Sequence, residues 1–396
     1  MSKSGQNLSI FVKLTAPIAL SLFVNSCAQA PTMTISPSQN AANDGSGDGT
    51  PVDGSPDTAP SSTSPVLTSP ATGMSPIASI LPSPSPASAP STSPSPSSAP
   101  VTTPTIAISS DGDGLFDGSW KTVEQYVAKN PSLKSFTMNA KDSKVFPLGN
   151  NTKAPNINQS PTRKVQVYIP EGIDKAKEYP FMIGLDANNN WVEPLASFAA
   201  KLMADKKIPM MIVIFVDNGG GDSRGNQRGL EYDKVPSDNP KFLITEVLPA
   251  VEAQFGIKLS KNGEGGGVFG GSSSGAAAFT ACWQNPDRFQ KVLGYSSTFT
   301  TQGGDDGSDH GAWAYQESLI AAAPTKPCRI SLEVSSNDNN YFKSTTEANK
   351  LTFAALKAKN YHVRLNIAPN ASHVDGGVMK ASMGDNLVWL WRDYPR

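Results

Sequence analysis

Two kinds of apolar run alternate along the second two-thirds of this chain. Lys164–Ile169, Tyr179–Asp186 and Met210–Asp217 are short and rich in β-branched and aromatic residues, as strands are. Between and after them lie longer stretches with helical periodicity, Leu195–Lys206 and Lys241–Phe255. In the second of these, Phe242, Val247, Leu248, Val251 and Phe255 recur at near-helical spacing. The alternation continues. Val268 and Phe269 form a short apolar strand, and Ala276–Trp283 follows as a small-residue helix. Cys328–Val334 reads as a buried strand, Thr346–Lys359 as an amphipathic helix and His362–Ile367 as a strand. Strand and helix in turn predict an α/β domain over 111–396, a mostly parallel sheet with helices on both faces. At about 285 residues it is large for one core but ordinary for an α/β enzyme.

The first 110 residues carry no such pattern. Lys3 and Lys13 precede a mostly apolar run, Leu14–Val24, which is too short to span a bilayer as a permanent helix. Val24-Asn25-Ser26-Cys27 closes it and resembles a bacterial lipobox, although Asn25 is unusual at its position. The expectation is a signal peptide over 1–27, with Cys27 acylated and anchored in the bilayer by its acyl chains. The alternative is plain secretory cleavage near Ala28 or Ala30. A residue other than Asp after the cysteine, here Ala28, resembles the outer-membrane-directed class of envelope lipoproteins. Residues 28–110 are Pro, Ser, Thr and Ala with almost no large apolar side chains, so the segment is expected to be a disordered, extended linker.

Charge and cysteine content narrow the chemistry. The net charge is −1 and no basic stripe appears, which argues against a nucleic-acid partner. No Cys/His cluster has zinc spacing, and Asp111-Gly112-Asp113-Gly114 reads as a turn because the rest of a calcium loop is missing. Of the three cysteines, Cys282 and Cys328 could pair in an exported protein. Both sit in apolar segments, so buried thiols are the expected state.

The candidate chemistry centres on Gly271-Ser272-Ser273-Ser274-Gly275. It stands between the Val268-Phe269 strand and the Ala276–Trp283 helix, the strand–turn–helix setting of a nucleophile elbow, with Ser273 read as its tip. A second Gly-x-Ser-x-Gly match, centred on Ser223, is followed by polar Asn226-Gln227-Arg228 where a helix should start, and it reads as a loop. Downstream, Asp338 and His373 each follow the C-terminal end of a candidate strand, the edge where parallel sheets carry their chemistry. His373 is the candidate general base among three histidines; His362 opens a strand and His310 lies in a polar loop. Asp338 is the candidate orienting acid, with Glu333 and Asp375 as competitors.

Together with these, Gly219-Gly220-Gly221-Asp222, Gln227–Asp233, His310–Trp313, Ser372–Asp375 and Trp389–Tyr394 carry a resemblance over nearly all of 111–396. The domain resembles the esterase D superfamily of α/β-hydrolases, in particular its enterochelin-esterase-like members. Two departures stand out: Ala276 where a glycine is usual, and Asp186-Ala187 where Asp-Gly is common. The resemblance implies an α/β-hydrolase fold and ester hydrolysis without a cofactor. Ser273 would attack, His373 would take its proton and Asp338 would orient the ring. The oxyanion would meet the N–H of Ser274 and one near Ala187. Arg228, Glu231 and Tyr232 would either form a substrate wall or fix a loop through an Arg–Glu pair. His310, Trp191 and Trp313 are candidate pocket residues, with core packing as the alternative for the two tryptophans. Siderophore, feruloyl, acetyl-sugar and lactone esters all remain open as substrates. An inactive binding protein on the same scaffold and a hydrolase built on Ser223 are the competing readings.

Overall fold

Nine strands order as β1-β11-β10-β9-β8-β5-β6-β3-β2 in one sheet among the described residues. The structure, a computed structural model, describes residues 112–117, 131–149, 158–187, 191–222, 226–300 and 311–395. The strands of this sheet are β1 (Gly114–Asp117), β2 (Leu133–Asn139), β3 (Thr162–Tyr168), β5 (Phe181–Leu185), β6 (Ile212–Val216), β8 (Gly266–Gly271), β9 (Lys291–Tyr295), β10 (Arg329–Ser335) and β11 (His362–Ala368). Two short strands, β4 (Glu178–Tyr179) and β7 (Lys258–Leu259), pair with each other outside it. From β1 to β6 across the sheet every pairing is parallel. Only the β6–β3 and β3–β2 pairings, at one edge, are antiparallel.

The continuous apolar runs have a direct cause. Phe181, Ile183 and Leu185 of β5 face one core cluster and Met182 faces the other. In β6, Ile212, Ile214 and Val216 are divided in the same way from Val213 and Phe215. A strand covered on both faces needs apolar side chains at every position, whereas one that meets water on one face alternates. The helices Val192–Ala204 and Gly376–Trp391 cover the second cluster. The helical run from Asn239 to Phe255 and the helix Ser273–Gln284 supply the first. The Asn239–Phe255 run widens into a π turn over Leu243–Val247, just ahead of Pro249. Proline cannot donate back along the helix and clashes with the carbonyl four residues before it, and a wider turn accommodates both defects.

The expectation of buried free thiols at Cys282 and Cys328 is corrected: the two are joined as a disulfide. Cys282 lies in the last turn of the Ser273–Gln284 helix and Cys328 precedes β10. Their Cα atoms are 6.2 Å apart, within the range a disulfide spans. The Asp113 carboxylate lies 3.1 Å from His362 Nδ1 at the start of β11. Cys27, the signal peptide and the linker lie outside the described residues, as do Ser223 and His310.

Candidate active site

The chain leaves β8 at Gly271 and enters the helix Ser273–Gln284 within one residue. That residue, Ser272, has φ 59° and ψ −130°. Few non-glycine residues adopt this conformation, which costs roughly 1–3 kcal/mol and tends to be retained where function requires it. The tip of the elbow is therefore Ser272, and the reading of Ser273 as the tip is corrected by one residue. Exposure agrees: Ser272 is partly exposed, whereas Ser273 and Ser274 are 2% and 0% exposed. Although Ser272 occupies the N-cap position, its hydroxyl makes no capping bond and lies 3.2 Å from Thr298 Oγ1. Ser274 is occupied internally. Its hydroxyl donates to the Gly271 carbonyl at 2.7 Å and accepts the Gly271 N–H at 3.0 Å, closing the turn.

Glycines around the turn are fixed by space. A Cβ on Gly270 would overlap the Ser274 carbonyl, and one on Gly275 would come within 2.5 Å of Ser297 Oγ. The helix can lie close against β8 and β9 only while both side chains are absent.

Asp338 sits in the loop after β10 and His373 in the loop after β11. His373 Nδ1 is 2.5 Å from Asp338 Oδ1. The Asp338 side chain is fully buried. Burial alone would raise its pKa, but hydrogen bonds from His373 and Ser296 outweigh that, and it lies below the ordinary carboxylate value. The two competitors have other work. Asp375 caps the Gly376–Trp391 helix by accepting from the Gly377 and Val378 amides. Glu333 is buried in β10, hydrogen-bonded by Asn366 and Asn386, and burial pushes its carboxyl up to about 8. The elbow and the acid–base pair meet through Ser296. Ser272 N–H donates to the Tyr295 carbonyl at 2.9 Å, and Ser296 Oγ accepts the Val374 N–H at 2.9 Å.

With the tip at Ser272, the amide that follows it is that of Ser273, at the positive N-terminal end of a twelve-residue helix. The Ser274 amide, the expected oxyanion donor, lies one residue further into the helix. The Ala187 amide does not fit this role: it donates to the Val216 carbonyl at 3.1 Å. Residues 188–190, beyond it, lie outside the described residues.

The substrate wall of Arg228, Glu231 and Tyr232 is also corrected. All three are buried. Arg228 forks onto the Asp186 carboxylate, with Nε and Nη2 at 2.7–3.0 Å. Glu231 pairs instead with Arg163, which enters from β3. The loop-fixing alternative is the right one, but through two ion pairs and not an Arg228–Glu231 pair. Together with Asn218, which donates to Asp186 at 2.7 Å, they hold Asp186 at φ 58°, directly after β5. No pattern in the sequence links Arg163 to Glu231, because β3 is antiparallel and 68 residues away. Trp191 belongs to the core: it is 6% exposed, its indole donates to the Leu185 carbonyl at 2.9 Å, and it lies beneath Gly271. Trp313 is half-buried, with the Lys343 ammonium 4.0 Å above its ring. A cavity of about 470 Å³ lies elsewhere, between β2 and the Asn239–Phe255 run, and shares no residue with the elbow.

A family model described as "Putative esterase" matches residues 158–379, more than half of the chain. The chain belongs to this esterase family. It is a carboxylic ester hydrolase of the α/β-hydrolase fold. No curated protein sequence matches the esterase. Solved structures that share its fold include a ferulic acid esterase, 17% identical, with a TM-score of 0.50, covering 67% of this chain and 98% of that one. They also include the enterobactin esterase of Shigella flexneri in the presence of 2,3-di-hydroxy-N-benzoyl-serine, 18% identical, with a TM-score of 0.52, covering 68% of this chain. The esterase spans 61% of the length of that enterobactin esterase chain.

Proposed function

We propose that this protein hydrolyses carboxylic esters through an acyl-enzyme, with Ser272 as nucleophile, His373 as general base and Asp338 as orienting acid. The observation that carries the reading is the left-handed conformation of Ser272 on a strand-to-helix turn, at the sheet edge that also carries the Asp338–His373 pair. Because Nδ1 of His373 faces Asp338, Nε2 is the nitrogen left to take the Ser272 proton. Ser272 Oγ then bonds to the ester carbonyl carbon. The carbonyl electrons move to oxygen, where the Ser273 N–H and the helix N-terminus stabilise the charge. Collapse breaks the ester bond, and the alcohol leaves with the proton held by His373. Water repeats the sequence on the acyl-enzyme and restores Ser272.

An aromatic acyl group suits the rim of this site. Tyr341 and Phe342 follow Asp338 by three and four residues, their rings 4.7 Å apart and perpendicular. Phe342 is held at φ 59° and is 55% exposed. Lys343, the next residue, lies over the Trp313 ring. The ferulic acid and 2,3-di-hydroxy-N-benzoyl-serine named for the structural neighbours are of this aromatic kind. The domain acts in the cell envelope, tethered through acylated Cys27 and the linker over 28–110; the sequence Val24-Asn25-Ser26-Cys27 supports this.

Labelling of the intact protein with a fluorophosphonate, followed by mass-spectrometric mapping, tests the reading. Modification of Ser272 is expected. Modification of Ser273 or Ser223 would assign a different nucleophile, and no modification would leave an inactive binding scaffold. A panel of feruloyl, catechol-siderophore and acetyl-sugar esters tests the acyl group. For the tether, incorporation of a fatty-acid analogue should disappear in Cys27→Ala.

A further inference from the structure

Ser296 stands one residue beyond the end of β9, and four observations converge on it. It is 3% exposed and held at φ 46°, a conformation few non-glycine residues adopt. Its N–H donates to the Glu333 carbonyl of β10 at 2.6 Å, which fixes the backbone in that conformation. Its hydroxyl oxygen accepts the N–H of Val374, the residue after His373, at 2.9 Å. The same hydroxyl lies beside the Asp338 carboxylate and helps to hold its pKa below the ordinary value. Val374 is itself held at φ 48°, costly for a β-branched residue, and the bond to Ser296 is what its amide gains there. The carbonyl just before Ser296, that of Tyr295, receives the Ser272 N–H.

A serine hydroxyl has one proton to give and lone pairs with which to accept. Here a lone pair accepts from the backbone beside the base, which leaves the proton to face the acid. We infer that Ser296 is a positioning residue for the acid–base pair: it holds the Asp338 carboxylate and the His373 loop in register with each other. This rests on the assignment of Asp338 and His373 to the reaction. Ser296 does not touch substrate and acts through Asp338.

The test is a double-mutant cycle on the full-length protein, with kcat and KM measured on a p-nitrophenyl ester. Ser296→Ala removes the hydroxyl and keeps the Cβ, whereas Ser296→Gly removes both and suits the positive φ; both are made, and thermal melts accompany each. Ser296→Gly is expected to lower kcat by roughly 10- to 100-fold, the effect of losing a hydrogen bond to a charged group, with KM changed by less than about 3-fold. In an Asp338→Asn background the same change is expected to cost less than about 3-fold, because the residue it acts through is already disabled. An equal loss in both backgrounds overturns the inference, as does an unchanged kcat with only a lowered melting temperature. If Asp338→Asn itself retained full kcat, the assignment of the acid would fall, which is a different failure from that of Ser296.

Discussion

Exchanging alanine for glycine at Ser272 and at Ser273 locates the elbow without relying on catalysis. Both substitutions at Ser272 remove the hydroxyl. Ser272→Ala keeps a Cβ at φ 59°, ψ −130°, whereas Ser272→Gly relieves it. The strain relieved is about 1–3 kcal/mol, and the greater freedom of glycine in the unfolded chain returns about 0.5–1 kcal/mol. Ser272→Gly should therefore be more stable than Ser272→Ala by roughly 1 kcal/mol, or about 2–4 °C in Tm for a domain of this size. Ser273 is the first residue of the helix, so there the sign reverses, and glycine is less stable than alanine by up to about 1 kcal/mol. Activity follows the same map. Both Ser272 variants should lose about 10⁶ in kcat, and Ser273→Ala, which keeps its backbone N–H, should lose less than about 10-fold. Ser274→Ala leaves two Gly271 backbone groups without their partner and should cost about 1–3 kcal/mol of stability while retaining turnover. Calorimetric melts and steady-state ester hydrolysis suffice for the measurements. Glycine less stable than alanine at 272, or Ser273→Ala dead beside an active Ser272→Ala, would refute the register.

Asp338→Asn should lower kcat by about 10⁴ with little change in KM, measured by steady-state kinetics on a soluble ester. Cys282→Ser with Cys328→Ser opens a cross-link between residues 46 apart, and calorimetry should show a loss of about 2–4 kcal/mol, or roughly 5–15 °C in Tm. A reductant that leaves the wild-type Tm unmoved would contradict that. Glu333, raised to about 8 by burial, gives stability that is complete below its unfolded pKa and is lost as pH rises through 8. Glu333→Gln mimics the protonated form, so its Tm relative to wild type should climb between about pH 5 and 8, and a flat difference would show that Glu333 ionises normally.

The parallel centre of the sheet was legible because β5 and β6 are apolar on both faces and leave continuous apolar runs, while β10 and β11 leave alternating ones. Its edges were not. β1 is four residues long and β2 alternates weakly, with Phe136 and Met138 only half-buried, so neither stands out from a loop by pattern. Partners within the site behaved in the same way. Asp338 and His373 announce themselves by following strands. Ser296 follows one too, but its role depends on a left-handed backbone and on loops 40 to 80 residues away, and a lone serine carries no periodic signal. Arg163 pairs with Glu231 because β3 lies antiparallel beside β6, and Arg228 with Asp186 because the latter follows β5; charge pattern alone reveals neither.

The one-residue error at the elbow has the most instructive cause. Gly270-Gly271-Ser272-Ser273-Ser274-Gly275 offers two frames for a small-residue turn around a serine. Requiring glycine two residues after the nucleophile selects Ser273. Requiring glycine two residues before it, where a Cβ would strike the Ser274 carbonyl, selects Ser272. The two requirements differ in rigidity. The position two after the tip admits a serine, because Ser274 folds its hydroxyl back onto Gly271 and takes up little space. The position three after it, Gly275, faces Ser297 Oγ across the helix–strand contact, and a Cβ there would force Ser297 to shift. In the Ser272 frame, the glycine missing at Ala276 is present one residue earlier, as Gly275. In the frame proposed for Ser272 the departure at Ala276 disappears, and a single replacement, Ser274 for glycine, stands in its place.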